Sequence, residues 1–321
     1  MGAVLASLVP RLVRVALVSI ATTAAALALG TSRAEAEEPS AAVASSSAGA
    51  ANAPVTPVVG LRHDVWIDGA ATIVLGGGLI TWTATKSDVL SSSCVICDGS
   101  EPGKVNALDD LFRSAFRRRD GAAASTAADI VAYGAGPAMG AALTIGAAVA
   151  DHRGDEAPLN SLLVLEASLA SIAVNETAGA FLRRERPRVH ALDGEAKAAS
   201  LADTDSTSSF PSGHTSSIMA ITAATATIAT LRGYRLAPHV WIVGTTLGLT
   251  ATYLQIAADR AYFTDNLAGA AIGLGVGVLV PVLFHGRAEA RPTAALRWLE
   301  GATLTSATVP GGRVVGLGWS F

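Results

Sequence analysis

The sequence predicts an all-α protein, a membrane-embedded helical bundle of about six helices followed by a short C-terminal β-hairpin. Three observations lead there. Six apolar runs approach the ~20 residues that cross a bilayer: Val65–Thr85, Ala127–Ala150, Leu159–Arg183, His214–Leu231, Val240–Ala258 and Asn266–Phe284. Half of the 321 residues are apolar and only 15% are charged, and 32 glycines dilute the Ala, Val, Leu and Ile, which suits closely packed helices. Finally, Pro310-Gly311-Gly312 separates two short runs, and Val315, Leu317, Trp319 and Phe321 alternate in the second, the pattern of a hairpin. Because Ala, Gly and Thr keep each run only moderately hydrophobic, a soluble helical domain is the alternative.

From the N-terminus, Arg11 and Arg14 precede the apolar run VALVSIATTAAALALG, and TSRAEA offers small residues at cleavage-site spacing. Residues 1–36 are therefore expected to be a signal peptide, with an uncleaved anchor as the alternative. Residues 37–58, rich in Ser, Ala and Pro, have nothing to bury and are expected to be a disordered linker. The helices occupy residues 59–292 and the hairpin extension 293–321. Two cysteines, Cys94 and Cys97, are too few for a zinc site and fit a local disulfide in an oxidising compartment. A net charge of −3 with no basic domain argues against a nucleic-acid partner.

The first two runs rest on apolar length alone. The third contains Glu166, Asn175 and Glu176, residues that face a bundle interior in a membrane and water in a soluble bundle. It ends at RRERPR, residues 183–188, where Pro187 stops the helix. The fourth begins at SFPSGHTSS, residues 209–217, where Pro211 and Ser212 read as a helix start. The stretch ADRAYFTDNLAG, residues 258–269, joins the fifth to the sixth. In an up-down bundle these three points share one face, so Arg186, Ser212, Gly213, His214 and Asp265 can converge. Arg186 would clamp phosphate, Ser212 and Gly213 would offer hydroxyl and N–H groups at the positive end of a helix, and His214 could protonate a leaving oxygen.

In these motifs the chain resembles the type 2 phosphatidic acid phosphatase (PAP2) and vanadium haloperoxidase superfamily. The resemblance spans roughly residues 60–290 and is most specific over 179–269. The family pattern is a Lys seven residues before Arg-Pro, then Pro-Ser-Gly-His, then an Arg six residues before a His that lies four before an Asp. In that family the last His attacks phosphorus, the Asp orients its imidazole, the Pro-Ser-Gly-His histidine is the general acid, and the Lys and two Arg hold the phosphate. The resemblance implies that Arg186, Ser212 and Gly213 bind phosphate, His214 is the acid and Asp265 the orienting carboxylate. Here, however, Gly179 stands at the Lys position, Gln255 at the second Arg and Ala261 at the nucleophile. Arg183, one turn from Gly179 on the same helix face, either reaches toward the lost Lys position or faces solvent or headgroups. Asp265, without an imidazole, is expected to pair with Arg186 or Arg260.

Removing a nucleophile from a coupled catalytic set costs on the order of 10⁶ in rate. The expected function is therefore a pseudo-phosphatase of the bacterial envelope that keeps part of a phosphate pocket. Its partners would be the membrane and a phosphorylated lipid or other phosphomonoester. The alternative is a weakly active phosphatase using His214 as general acid. No metal or cofactor is expected, since vanadate ligation also needs the missing histidine. Two orientations follow: an exported linker and a spanning first helix place the motif face in the cytoplasm with Arg113, Arg117, Arg118 and Arg119, whereas the resemblance implies the outer side of the bacterial inner membrane, where the family usually works.

Overall fold

The computed structural model describes residues 60–90, 93–96 and 102–287, together with the backbone of 302–309 and 312–319. The expected signal peptide and linker, Cys97, and the stretch joining the bundle to the hairpin lie outside the described residues. The helices are α1 (Val65–Val89), α2 (Ala107–Phe116), α3 (Gly121–Ala150), α4 (Ala157–Phe181), α5 (Pro187–His190), α6 (Gly194–Ser200), α7 (Gly213–Arg232), α8 (Ala237–Ala257) and α9 (Phe263–Phe284). A π turn at Val131–Ala135 interrupts α3. Strands β1 (Ala302–Val309) and β2 (Gly312–Trp319) pair antiparallel, with Val309 opposite Gly312.

The six expected helices are present, with two differences of physical origin. Helix α3 starts at Gly121 rather than Ala127, because the Asp120 carboxylate accepts the Ala122 N–H at 3.2 Å and caps the helix earlier. Helix α2 was not anticipated. It is short and amphipathic, too short to stand out as an apolar run, and is started by Asn106, whose side chain accepts the Asp109 N–H at 3.0 Å.

Helix α7 is the centre, buried along most of its length and packed against α9, α8, α4 and α3. Small residues make this possible. A Cβ on Gly269, Gly273 or Gly277 of α9 would lie 2.3, 2.3 or 2.7 Å from the carbonyl oxygens of Ser212, Ser216 and Ala220. The four-residue spacing puts these glycines on one face, so the two backbones touch and dispersion attraction holds the pair. On the other side of α7, Thr222 and Met219 fill the space over Gly244 and Gly248 of α8.

The large apolar residues point outward. Trp66, Ile73, Ile80, Ile242, Leu267 and Leu279 are exposed, while Ala220, Ala223, Ala224 and Ala226 are fully buried. A small-residue interior under an apolar exterior suits lipid surroundings, where helices associate through close packing. Among the described residues, five helices (α1, α3, α4, α8 and α9) are long and apolar enough to cross a membrane. At its C-terminal end α1 is tied to α4 by Trp82 Nε1 donating to Glu176 Oε2 at 3.0 Å and by Lys86 at 3.7 Å. The three motifs meet at one end of the bundle, at the C-termini of α4 and α8 and the N-termini of α7 and α9.

Candidate anion site

Ser212 stands at the N-cap of α7 and Gly213 in its first turn. The Ser212 N–H donates to the Asp265 carbonyl at 3.0 Å, so the second and third motifs are joined through backbone. Gly213 lies against Asn175, whose Nδ2 would be 3.5 Å from a Cβ there. Asn175 is buried, donates to the Pro211 carbonyl at 3.4 Å, and leaves its Oδ1 without a hydrogen-bond partner. Gly179, at the family's Lys position, faces the same segment, with a Cβ 3.6 Å from the Phe210 carbonyl. Gln255, at the second Arg position, is 1% exposed, and its Nε2 also lacks a partner. Both cationic positions are therefore filled by uncharged residues, Gln255 buried and Gly179 partly so.

His214 is held by α3. Its Nε2 lies 2.8 Å from Asp129 Oδ1, and the Tyr133 ring in the π turn meets the imidazole edge-on at 5.0 Å. The same Asp129 oxygen accepts from Arg260 Nη1 at 2.7 Å, and that Nη1 also reaches Ser125 Oγ at 3.1 Å. The Arg260 carbonyl in turn accepts from Arg186 Nη1 at 3.0 Å. Arg186 donates to Asp205 through Nη2 at 2.6 Å and to the Asp205 carbonyl through Nε at 2.8 Å, and Arg188 reaches the other Asp205 oxygen at 3.3 Å. A continuous hydrogen-bonded chain thus links Asp205, Arg186, Arg260, Asp129 and His214. Three guanidiniums face two carboxylates, an excess of one positive charge before His214 is counted. The carboxylates are the accessible members: Asp205 and Asp129 are 46% and 44% exposed, against 10% and 14% for Arg186 and Arg260. Burial alone would raise the pKa of Asp205, but the charge and hydrogen bond of Arg186 outweigh it and hold the pKa below its ordinary value.

Asp265 is turned away from this chain. Its carboxylate accepts from Arg184 Nη1 at 2.7 Å, Ser209 Oγ at 2.5 Å and the Tyr262 N–H at 2.9 Å, the last closing the first turn of α9. The expectation that it pairs with Arg186 or Arg260 is corrected: the partner is Arg184, the second arginine of RRERPR. Arg184 also donates to Asp109 at 2.9 Å and stacks over the Tyr262 ring at 4.0 Å. Burial would raise the pKa of Asp109, yet the hydrogen bonds from Thr264 prevail and lower it. Arg183 is buried and donates to Thr207 Oγ1 at 2.6 Å, so it does not face solvent.

The turn between α8 and α9 carries Ala261, which is 3% exposed. It is shaped by Asp259, a non-glycine residue at φ 58° whose carboxylate chelates Arg113 of α2 at 2.6 and 2.7 Å. The sequence reading missed Asp129, Asp205 and Arg188, and it treated Arg260 only as a neighbour. One signal was available: Asp129 is the lone charge inside the second apolar run, where an ionisable residue points to function by default. The arrangement can hold an anion between guanidiniums and can move a proton at His214. It places no nucleophile at position 261.

Fold and cluster together define the class: a membrane protein whose helical bundle gathers arginines and a histidine at the N-terminus of its central helix. A family model described as the PAP2 superfamily matches residues 160–289, from the first turn of α4 to just past α9, and covers all three motifs. This part of the chain belongs to the PAP2 superfamily. No curated protein and no solved structure gives a significant match to the chain.

Proposed function

We propose that the protein is a PAP2-family pseudo-phosphatase of the bacterial envelope. It binds the phosphate of a phosphorylated lipid or other phosphomonoester without hydrolysing it, using Arg186, Arg188, Arg260, His214 and the Ser212-Gly213 end of α7. The observation that carries this reading is the pairing of a buried methyl group, Ala261, at the attacking position with a surviving arginine–histidine chain beside it. An anion would compete with the two exposed carboxylates for guanidiniums that are already in place. The disulfide at Cys94, on the segment that crosses the motif face, supports an orientation of that face toward the oxidising side of the membrane.

The test is phosphate release from lipid phosphates and an aryl phosphate, run beside flotation with vesicles carrying phosphatidic acid. Wild type is expected to bind the vesicles and release no phosphate, whereas the repaired Ala261→His/Gln255→Arg protein gains turnover. Turnover by wild type that His214→Ala abolishes would overturn the reading. One observation favours a weakly active enzyme instead, the 2.8 Å contact of His214 with Asp129, a pair that could deprotonate water. The same assay decides between the two.

A further inference from the structure

At the end of the bundle opposite the motifs, Asp68 of α1, Glu166 of α4 and His285, the residue after α9, come together. One ligand atom from each lies within 4.8 Å of the others. Asp68 and His285 are 6% and 2% exposed, and the Glu166 side chain 13%. None of the three takes part in the anion site.

Two features set this cluster apart from an ordinary buried ion pair. Asp68 is the one buried residue of α1, so a helix that otherwise presents apolar side chains outward docks through a carboxylate. Its Oδ2 accepts the Asp64 N–H at 3.1 Å, but a buried charge also calls for a positive centre. The second feature is the state of the imidazole. His285 Nδ1 lies 3.3 Å from the Arg62 carbonyl oxygen, which can only accept, so Nδ1 carries a proton and a neutral ring presents its lone pair at Nε2. That Nε2 stands 3.3 Å from Glu166 Oε2, yet both atoms are buried without a hydrogen-bond partner. They are close and not aligned as N–H···O. With the ring neutral, two lone-pair atoms facing each other at this distance repel unless a cation lies between them.

The 3.3 Å between His285 Nε2 and Glu166 Oε2 fits one, with an Asp68 oxygen within 4.8 Å of both to complete the set. Ligand atoms each held ~2.0–2.2 Å from one ion stand roughly 3.0–3.5 Å apart across an octahedral or tetrahedral edge. The Arg62 guanidinium does not supply the charge, since it is turned to the carbonyls of Leu283 at 3.1 Å and Gly286 at 3.4 Å. Two carboxylates and a neutral imidazole balance a dication, leaving no net charge to bury. Mixed imidazole and carboxylate donors suit a borderline transition metal better than calcium or magnesium, and the Nδ1–H bond to Arg62 is the outer contact that orients a ligating histidine.

We propose that Asp68, Glu166 and His285 bind one divalent transition-metal ion of the zinc type, which fastens α1 and the end of α9 to α4. The full-length protein, purified in detergent, would be stripped with chelator, dialysed against zinc and analysed for bound metal and thermal midpoint. Wild type is expected to retain about one equivalent and to lose several degrees of Tm on chelation. His285→Gln and Asp68→Asn, which preserve side-chain volume, are expected to lose at least roughly tenfold in bound zinc and to be insensitive to chelator. Retention of zinc by both variants would place the metal elsewhere and overturn the proposal. So would a wild type that binds no zinc and whose Tm ignores chelator, a measurement that does not depend on the variants folding. A Tm that instead falls as pH rises through the imidazole range, with no metal bound, would identify a protonated His285 as the positive centre and overturn the proposal equally.

Discussion

Asp265 and Asp205 are both aspartates beside arginines of the first motif, yet their environments set them different tasks. Asp265 is fully buried with Arg184, Ser209 and the Tyr262 N–H on its oxygens. Arg184 keeps its ion pair with Asp109 when Asp265 is neutralised, but the buried donors on the Asp265 oxygens lose a charged acceptor, at a cost of about 1–3 kcal/mol. Asp265→Asn should therefore lower stability by about that amount in chemical denaturation, with little change in vesicle affinity of the folded fraction. A large affinity loss with unchanged stability would return Asp265 to the anion site. Asp205 is half exposed, and its depressed pKa gives a pH signature instead. A carboxylate held below its ordinary 3.8 contributes stability that is present above that pH and lost as pH falls through the lower folded-state value. The Tm gap between wild type and Asp205→Asn should thus be constant from neutral pH down to the ordinary carboxylate range and close below it. At neutral pH the same substitution frees Arg186 and Arg188 from a competing anion, so Asp205→Asn should bind phosphatidic acid vesicles several-fold more tightly in flotation, roughly what the loss of a fraction of a kcal/mol of competition allows.

At the scale of the helix, the smallest residues carry the packing. Within α9, Gly273 and Gly275 are two residues apart on different faces. A Cβ at Gly273 would lie 2.3 Å from the Ser216 carbonyl, whereas one at Gly275 meets nothing within 4 Å. Gly273→Ala must push α9 off α7, an overpacking cost of about 1–3 kcal/mol. Gly275→Ala only removes backbone freedom and should be neutral or stabilising by up to about 1 kcal/mol. Thermal midpoints in one detergent compare the pair directly; equal shifts would mean that the α7–α9 contact is looser than this geometry. The long helices were legible because apolar runs of bilayer length need no tertiary information. Helix α2 was not, since its ten residues earn their place by what they hold: Asp109 on Arg184 and Arg113 on Asp259. The site was legible where spacing along one helix end decides proximity, as for Ser212, Gly213 and His214. It was illegible where partners lie far apart in sequence, as for Asp129, 85 residues from His214, because no local pattern says which way α3 turns.

At the scale of the whole molecule, helices α1, α3, α4, α7, α8 and α9 alternate in direction, so residue 60 and the motif face lie on opposite sides of any membrane that all six cross. An exported linker before residue 60 then places the motifs in the cytoplasm, while a disulfide at Cys94 belongs with an oxidising compartment. The arginine count still points to the cytoplasmic side, and the disulfide points the other way. Arg113 and Arg117 are both paired with Asp259, and Arg118 donates to the Tyr253 hydroxyl, so these side chains shape the α8–α9 turn. Pairing in the folded state does not remove them from the positive-inside count, because that rule counts Lys and Arg while Asp and Glu contribute little. The proposed orientation can be read from single introduced cysteines at exposed positions, Arg119→Cys on the motif face and Asp155→Cys on the other, with Cys94 already in a disulfide. In cells with a permeabilised outer layer and a sealed inner membrane, an impermeant maleimide should label Arg119→Cys and spare Asp155→Cys until the membrane is lysed. The reverse pattern would put the motif face inside, in agreement with an exported linker, and would restrict the bound phosphate to headgroups of the cytoplasmic leaflet. Labelling of both before lysis would mean that the bundle does not span, and the small-residue packing of α7 would then have to be explained in water.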